Sequence, residues 1–431
     1  FILCITVLCS IFSLFTRNAD ESQHTTTLLT GKDNDFKSLE VVRFSESVEK
    51  EKLKKPKHII AYAISLTKCP EENQDNMIDG ASVLMHSIHL NSFDNFESSG
   101  SLYGYKMFAF VHPEAEKCSG PLGKLGFEVL IRETPIDVQK IKGKFLREKV
   151  WKTGCCGEKE FLKLYAYTLI DYPVVVHLDM DALILQRFDF LFDAMIEGND
   201  KQKKKVQTMF KKVKIPEKID AYFTRDYNMI NAGKEHVGIQ GGFLIVRPSM
   251  NMFHEYLNVI LEGNFLPGSG WGGLGYGGYY GAQQIQGLVS YFYDFLHKGT
   301  AVELNRCIYN SMNDNPNQLF KKTGKQKCRT GENACEDCRM KQIHEIKSIH
   351  FTLCPKPWFC SLYLTSIEKS NIERGLCRQF HREWFRVRRD FEDTYLPKLF
   401  PGWKSSRTDK SSNFHPDHFF GFCRGGGKTN Y

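Results

Sequence analysis

The chain has 431 residues, 42% of them hydrophobic and 13% aromatic, which supplies a large core and excludes an intrinsically disordered protein. A net charge of +8 suits anionic ligands, membrane surfaces or nucleic acid, but no zinc-finger, RRM or basic-zipper pattern is present, so no nucleic-acid partner is expected. Much of the positive charge lies in KQKKK (201–205) and KKVK (211–214), which read as a solvated loop or helix face.

Residues 1–15, FILCITVLCSIFSLF, carry no charge. The chain opens on Phe, so upstream sequence is expected, and it could lengthen this run towards the roughly 20 residues of a membrane span. Residues 1–16 therefore read as a truncated anchor, with the hydrophobic core of a signal peptide as the rival. Because FTRNADESQ has no small-x-small cleavage site, the anchor is preferred. Residues 17–56 are polar and aperiodic, a stem or linker. A single folded domain is expected over 57–400, followed by a tail over 401–431.

Twelve of the 14 cysteines follow the anchor. Cys155-Cys156 and the run Cys328, Cys335, Cys338 fit an oxidised, secreted chain. Zinc is the alternative for the latter run, but a fourth ligand at standard spacing is missing, so disulfides are preferred.

HIIAYAISL (58–66) reads as a first strand, and MIDGASVLMHSIHLN (77–91) as a helix with Ala81, Leu84, Met85 and Ile88 on one stripe. MFAFVH (107–112) and FEVLIR (127–132) are further strands. EKEFLKLYAYTL (158–169) shows helical spacing through Phe161, Leu164, Tyr165 and Thr168. AYFTRD (221–226) and GGFLIVRPS (241–249) are strands, 248–263 a helix opened by Pro and Ser, and 370–396 helical. This β-α-β order predicts an α/β fold with a largely parallel sheet covered by helices on both faces. Between 268 and 281 lie eight glycines, interleaved with Trp271, Tyr276, Tyr279 and Tyr280. These aromatics are either sugar-stacking groups or decoration on a mobile surface loop.

VVVHLDMDALIL (174–185) places Asp179 and Asp181 at the end of an apolar, β-branched run. Side chains at i and i+2 share one side of an extended chain, so the two carboxylates are expected to converge where ligands bind in open α/β sheets. A divalent-cation site for a phosphorylated ligand is one reading, and a turn with two solvated carboxylates the other. HFTLCPKPW (350–358) favours the first. Neutral His350 can ligate a divalent ion, and Lys356 can meet a diphosphate as a point charge.

These pieces resemble, in their order, glycosyltransferase family 8, the glycogenin-like enzymes. AYAISL (61–66) with DGA (79–81), FLKLYAY (161–167), VVVHLDMDALIL, GGFLIVRPS, IQGLVSYFY (285–293) and HFTLCPKPW carry the resemblance over roughly residues 58–360. Within the family the chain is most similar to plant- and alga-type membrane-anchored members. The resemblance implies a GT-A (Rossmann-like) fold, a UDP-sugar donor, Mn2+, and retaining transfer of a hexosyl, pentosyl or uronosyl unit to a glycan, lipid or protein. It further implies Asp179, Asp181 and His350 as metal ligands. Ala61, Tyr62, Lys163, Asp179, Asp181 and Lys356 would bind the donor, with Lys163 also supporting the leaving group. Glycogenins carry Asp-Gln-Gly where this chain has Ile285-Gln286-Gly287, and often Asn-Ala/Ser-Gly where it has Gln240-Gly241-Gly242. Gln286 and Gln240 are thus expected to position the sugar. With the anchor and cysteines, this makes a type II membrane protein of the Golgi or ER with a lumenal catalytic domain. The lost carboxylate motivates a rival, an inactive carbohydrate-binding protein on the same fold. A nucleotidyltransferase is a third reading, opposed by the lack of a glycine-rich basic loop near residue 66.

Overall fold

The computed structural model describes residues 55–69, 76–196, 200–209, 215–232, 235–320, 322–359 and 371–399. The chain divides into Phe1–Lys55 and Pro56–Tyr431, and the architecture below is that of the second unit. The expected anchor, the stem up to residue 54, the 211–214 lysine run and the 401–431 tail lie outside the described residues. Among those described, no helix is long and apolar enough to cross a membrane.

The core is a seven-stranded sheet. Its strands are β1 (His58–Leu66), β2 (Tyr103–Val111), β3 (Glu128–Ile131), β4 (Val175–Leu178), β6 (Ala221–Arg225), β7 (Ile239–Val246) and β8 (Ala301–Glu303). Across the sheet the order is β8-β6-β7-β4-β1-β2-β3. Only β7 runs against its neighbours, pairing antiparallel with β4 and β6. Parallel strands covered on both faces must be apolar on both, which explains the unbroken hydrophobic run of β1. Ile60, Tyr62, Ile64 and Leu66 feed one core layer, whereas Ala61 and Ala63 feed the other. The pleat's two-residue period thus divides one sequence between two cores.

The first layer is closed by α1 (Asn76–Leu90), through Ala81, Leu84, Met85 and Ile88. The second is closed by Gly157–Thr168 and by α2 (Met250–Glu262). Ser249 caps α2 by accepting from Met252 N, and Gly263 ends it in the left-handed region. Gly157–Thr168 is helical as expected but wound as a 3₁₀ helix. A third core joins a small antiparallel ribbon, β5 (Ala182–Ile184) with β9 (Ser348–His350), to α3 (Asn371–Asp390) through Leu183, Ile349, Phe380 and Trp384.

Among the described residues four disulfides form: Cys69–Cys118, Cys307–Cys338, Cys328–Cys335 and Cys354–Cys377. The Cys328, Cys335, Cys338 run is therefore covalently paired. Cys155 and Cys156, expected among the paired cysteines, are free thiols. Two of the glycine loop's four aromatics fit neither reading. Trp271 and Tyr276 are buried in the second core, and Trp271 Nε1 donates to Ala282 O at 2.8 Å. Seven of the eight glycines take positive φ, so the backbone can fold tightly enough to turn these rings inward. Tyr280 alone of the four is exposed.

Candidate active site

β4 ends at Leu178 and β5 begins at Ala182, so Asp179 and Asp181 flank a tight turn. Ala182 N donates to Asp179 O at 3.0 Å to close it. The carboxylates converge through this turn, not through the extended alternation expected from the sequence. Two partners fix it. Asp179 N donates to Gly242 O at 3.0 Å, because antiparallel β7 starts where β4 ends. Phe351 N donates to Asp181 O at 2.9 Å, and ribbon pairing sets His350 opposite Ala182. His350 Nε2 lies 3.2 Å from Asp181 Oδ1 and 3.9 Å from Asp179 Oδ2.

One ligand atom from each of Asp179, Asp181 and His350 falls within a 4.8 Å sphere of mutual distances. Their chemistry fits a divalent cation: two hard oxygens and an imidazole. Burial lowers the pKa of His350, which keeps the ring neutral and able to ligate. Gly242 leaves the necessary room. A Cβ there would stand 2.5 Å from Asp179 Oδ2 and 2.6 Å from His350 Cε1. Gly80, from the DGA motif, gives similar clearance beneath the turn, since its Cβ would meet Met180 O at 2.7 Å and the Trp358 ring at 2.8 Å.

Two lysines flank the carboxylates. Lys163 Nζ, itself buried, donates to Asp179 Oδ1 at 2.8 Å and Gly241 O at 3.1 Å, and lies 3.1 Å from Glu160 Oε2. Burial alone would depress its pKa, but the Asp179 and Glu160 carboxylates outweigh that and hold it raised. Burial would likewise raise Asp179, yet Lys163 holds its carboxyl well below the usual range. Lys356 pairs with Asp181, while burial pulls its ammonium down to about 8. The two amides are also present. Gln240 Oε1 accepts from Gly242 N at 2.6 Å, and Gln286 lies beside Gly281.

These groups line one cavity of about 270 Å³, containing Lys163, Asp179, Asp181, His350, Lys356, Gln240 and Gln286. Ala61 and Tyr62, expected to line the nucleotide pocket, are not among its walls. They lie mid-strand, because β1 continues four residues beyond Tyr62 to Leu66, and their side chains pack into opposite cores. The true carboxyl end of β1 brings Ser65 Oγ to 2.9 Å from His177 Nε2. Ile285 is buried in the second core and offers the cavity no carboxylate.

Three groups near the site were not foreseen. Glu160 is one helical turn before Lys163, a spacing that could have flagged it. Cys155 lines the cavity itself. Asp226 follows β6, whose carboxyl end lies on the same edge of the sheet, and burial pushes its pKa up to about 6 with Asp314 adding to the rise. A second cavity, about 490 Å³, adjoins the first through Met229 and includes Asn228, His236, Tyr279 and Arg329.

No family model matches the sequence, and neither does any curated protein. Among solved structures, the chain is similar to the bifunctional glycosyltransferase WbbM, at 11% identity and TM-score 0.39, over 77% of this chain and 50% of that one. It is also similar to the galactosyltransferase LgtC in complex with donor and acceptor sugar analogs, at 10% identity and TM-score 0.38, over 77% and 95%. Mouse xyloside xylosyltransferase 1 follows at 11% identity and TM-score 0.36, over 58% and 87%. These likenesses are distant, and the functional reading below rests on the geometry of the site.

Proposed function

We propose that the chain is a metal-assisted retaining glycosyltransferase of the GT-A type. It would move a glycosyl unit from a nucleotide-sugar, a UDP-sugar by the family resemblance, to a hydroxyl of a glycan, lipid or protein. One observation carries this reading: Asp179, Asp181 and His350 meet at the carboxyl end of β4 between two lysines. That combination suits a diphosphate held through a cation. Asp179, Asp181 and His350 would hold the ion, Mn2+ by the resemblance, and the ion would stabilise charge on the departing diphosphate.

The remaining work falls to the chain's own side chains. Lys356 meets phosphate charge directly, and Lys163 holds Asp179 in place from behind. Gln240 and Gln286 line the same cavity and orient the sugar through their amides. The bond from the anomeric carbon to the β-phosphate oxygen breaks, and its electron pair leaves with the diphosphate. A bond forms from the acceptor oxygen to that carbon on the same face, and the acceptor's proton passes to the leaving phosphate. The adjoining cavity, with Asn228, His236 and Arg329, is the approach for the acceptor. Four disulfides support a secretory location, consistent with an anchored Golgi or ER enzyme.

The test is donor hydrolysis by residues 57–431 with UDP-glucose, UDP-galactose, UDP-glucuronate, UDP-xylose and GDP-mannose, in Mn2+ and in EDTA. Mn2+-dependent UDP release from one donor is expected. Asp181→Asn should lower it by roughly a hundredfold or more while shifting Tm by less than about 2 °C, because the carboxylate sits in a cavity-lining turn outside the apolar core and the amide keeps its shape. Unchanged turnover in that variant would refute the assignment. Burial of Ile285 at the position of the family carboxylate favours a second reading, a binding protein without turnover. UDP or glycan binding with no release from any donor, acceptors included, would select it.

A further inference from the structure

The sequence Gly154-Cys155-Cys156-Gly157 forms a turn whose two flanking glycines both adopt left-handed backbone, φ +68° and +60°. Neither could carry a side chain without displacing its surroundings. A Cβ on Gly154 would stand 3.0 Å from Gln284 Oε1, and one on Gly157 would stand 2.8 Å from Trp151 O. The turn therefore has a fixed shape, and it brings two thiols and a carboxylate together. Cys155 Sγ is 2.9 Å from Cys156 Sγ and 2.8 Å from Glu160 Oε1. The sulfurs are too far apart for a disulfide bond, whose length is about 2.05 Å. Ligand atoms of all three residues lie within 4.8 Å of one another.

We propose that Cys155, Cys156 and Glu160 form a second metal site, selective for a thiophilic divalent cation such as Zn2+. Two sulfurs and one carboxylate oxygen are ligand types that Zn2+ takes, and a set of three would leave a position open to water. The exposure of Cys155 gives the ion a route in. Thr67 donates its hydroxyl to Cys156 Sγ at 3.3 Å, which fixes that sulfur beside Cys155. Binding releases the thiol protons, so affinity rises with pH. The site differs in kind from the Asp179, Asp181, His350 cluster, whose hard ligands prefer Mg2+ or Mn2+.

Glu160 links the two. Its Oε1 faces Cys155, and its Oε2 lies 3.1 Å from Lys163 Nζ. Drawing Glu160 onto a metal removes one of the two carboxylates that hold Lys163, so occupancy should slow chemistry at the neighbouring site. That consequence rests on the transferase reading, whereas the metal site itself does not.

The test is a Co2+ titration of the full chain, purified without reductant and read by sulfur-to-cobalt charge-transfer absorption. The expected result is a band saturating at one Co2+ per chain, displaced by Zn2+ and not by Mn2+. It should be absent in Cys155→Ser and Cys156→Ser, weakened at least tenfold in affinity in Glu160→Gln, and intact in Asp179→Asn. A band that persists in the cysteine variants would overturn the site. So would the absence of a band in the unmodified chain, including the case where alkylation and mass spectrometry find the pair joined as a vicinal disulfide. The band reports sulfur ligation alone, so it stands or falls separately from glycosyl transfer.

Discussion

The candidate cavity has two unlike walls. The turn between β4 and β5 is short and charged, and backbone hydrogen bonds to β7 and to Phe351 pin it. Opposite it, the glycine loop is long and rich in aromatic rings, and most of those rings face inward. The contrast teaches a general asymmetry. A carboxylate in an apolar run has few places to go, since burial without partners is prohibitive, so its sequence position predicts a site. An aromatic ring in a glycine-rich loop can serve the core or a ligand equally well, and only the fold decides.

The strongest challenge to that contrast is Trp271→Ala. If the ring is core, as its burial in the second cluster requires, the variant loses about 3–5 kcal/mol of stability by chemical denaturation, while the folded fraction retains donor binding. A stable variant with impaired sugar binding would reverse the assignment. On the opposite wall, Gly242→Ala tests crowding without altering charge. Its methyl group would press on Asp179 and His350, so Mn2+ affinity measured by calorimetry should fall roughly 10–100-fold.

Buried histidines sharpen the contrast from a third direction. His86, paired with Asp390 at 2.6 Å, and His381, paired with Pro355 O at 2.8 Å, are both lowered to about 4 by burial. The unfolded chain takes up protons near pH 6.5 and the fold only near 4, so stability is lost progressively as pH falls from about 6.5 through 4. Denaturation midpoints at pH 7 and pH 4.5 should differ by on the order of 2 kcal/mol per histidine, and His381→Gln should flatten the profile. The smallest effect belongs to Tyr280→Ala. As the exposed ring of the loop, it should leave Tm unchanged and raise the KM for donor or acceptor a few-fold, about 1 kcal/mol.

Much of the site was legible in the sequence. Asp179, Asp181, His350, Lys163 and Lys356 do meet, because charged residues among apolar ones announce themselves. The strand run 58–66 was also legible, yet Ala61 and Tyr62 were misplaced within it. Alternation tells which residues share a face but not at which end a ligand sits. Lys163 lies on a 3₁₀ helix where helical spacing alone suggested an α-helix, since the i, i+3 pairs Phe161/Leu164 and Tyr165/Thr168 are neighbours in either winding. Cys155 and Cys156 were read with the disulfides because composition counts thiols without saying which can reach a partner.

The long-range closure of the site has a consequence for the order of events during synthesis. Asp181 and Lys356 are 175 residues apart. At about 5–20 residues per second, a ribosome that has delivered the carboxylates needs roughly ten to thirty seconds more to deliver their lysine partner. During that interval β1 to β4 can pair, and Lys163 can reach Asp179, while β5 still lacks its ribbon partner. The nascent chain thus passes through a stage with a sheet and half a site, and it acquires cation affinity only when its last strand arrives.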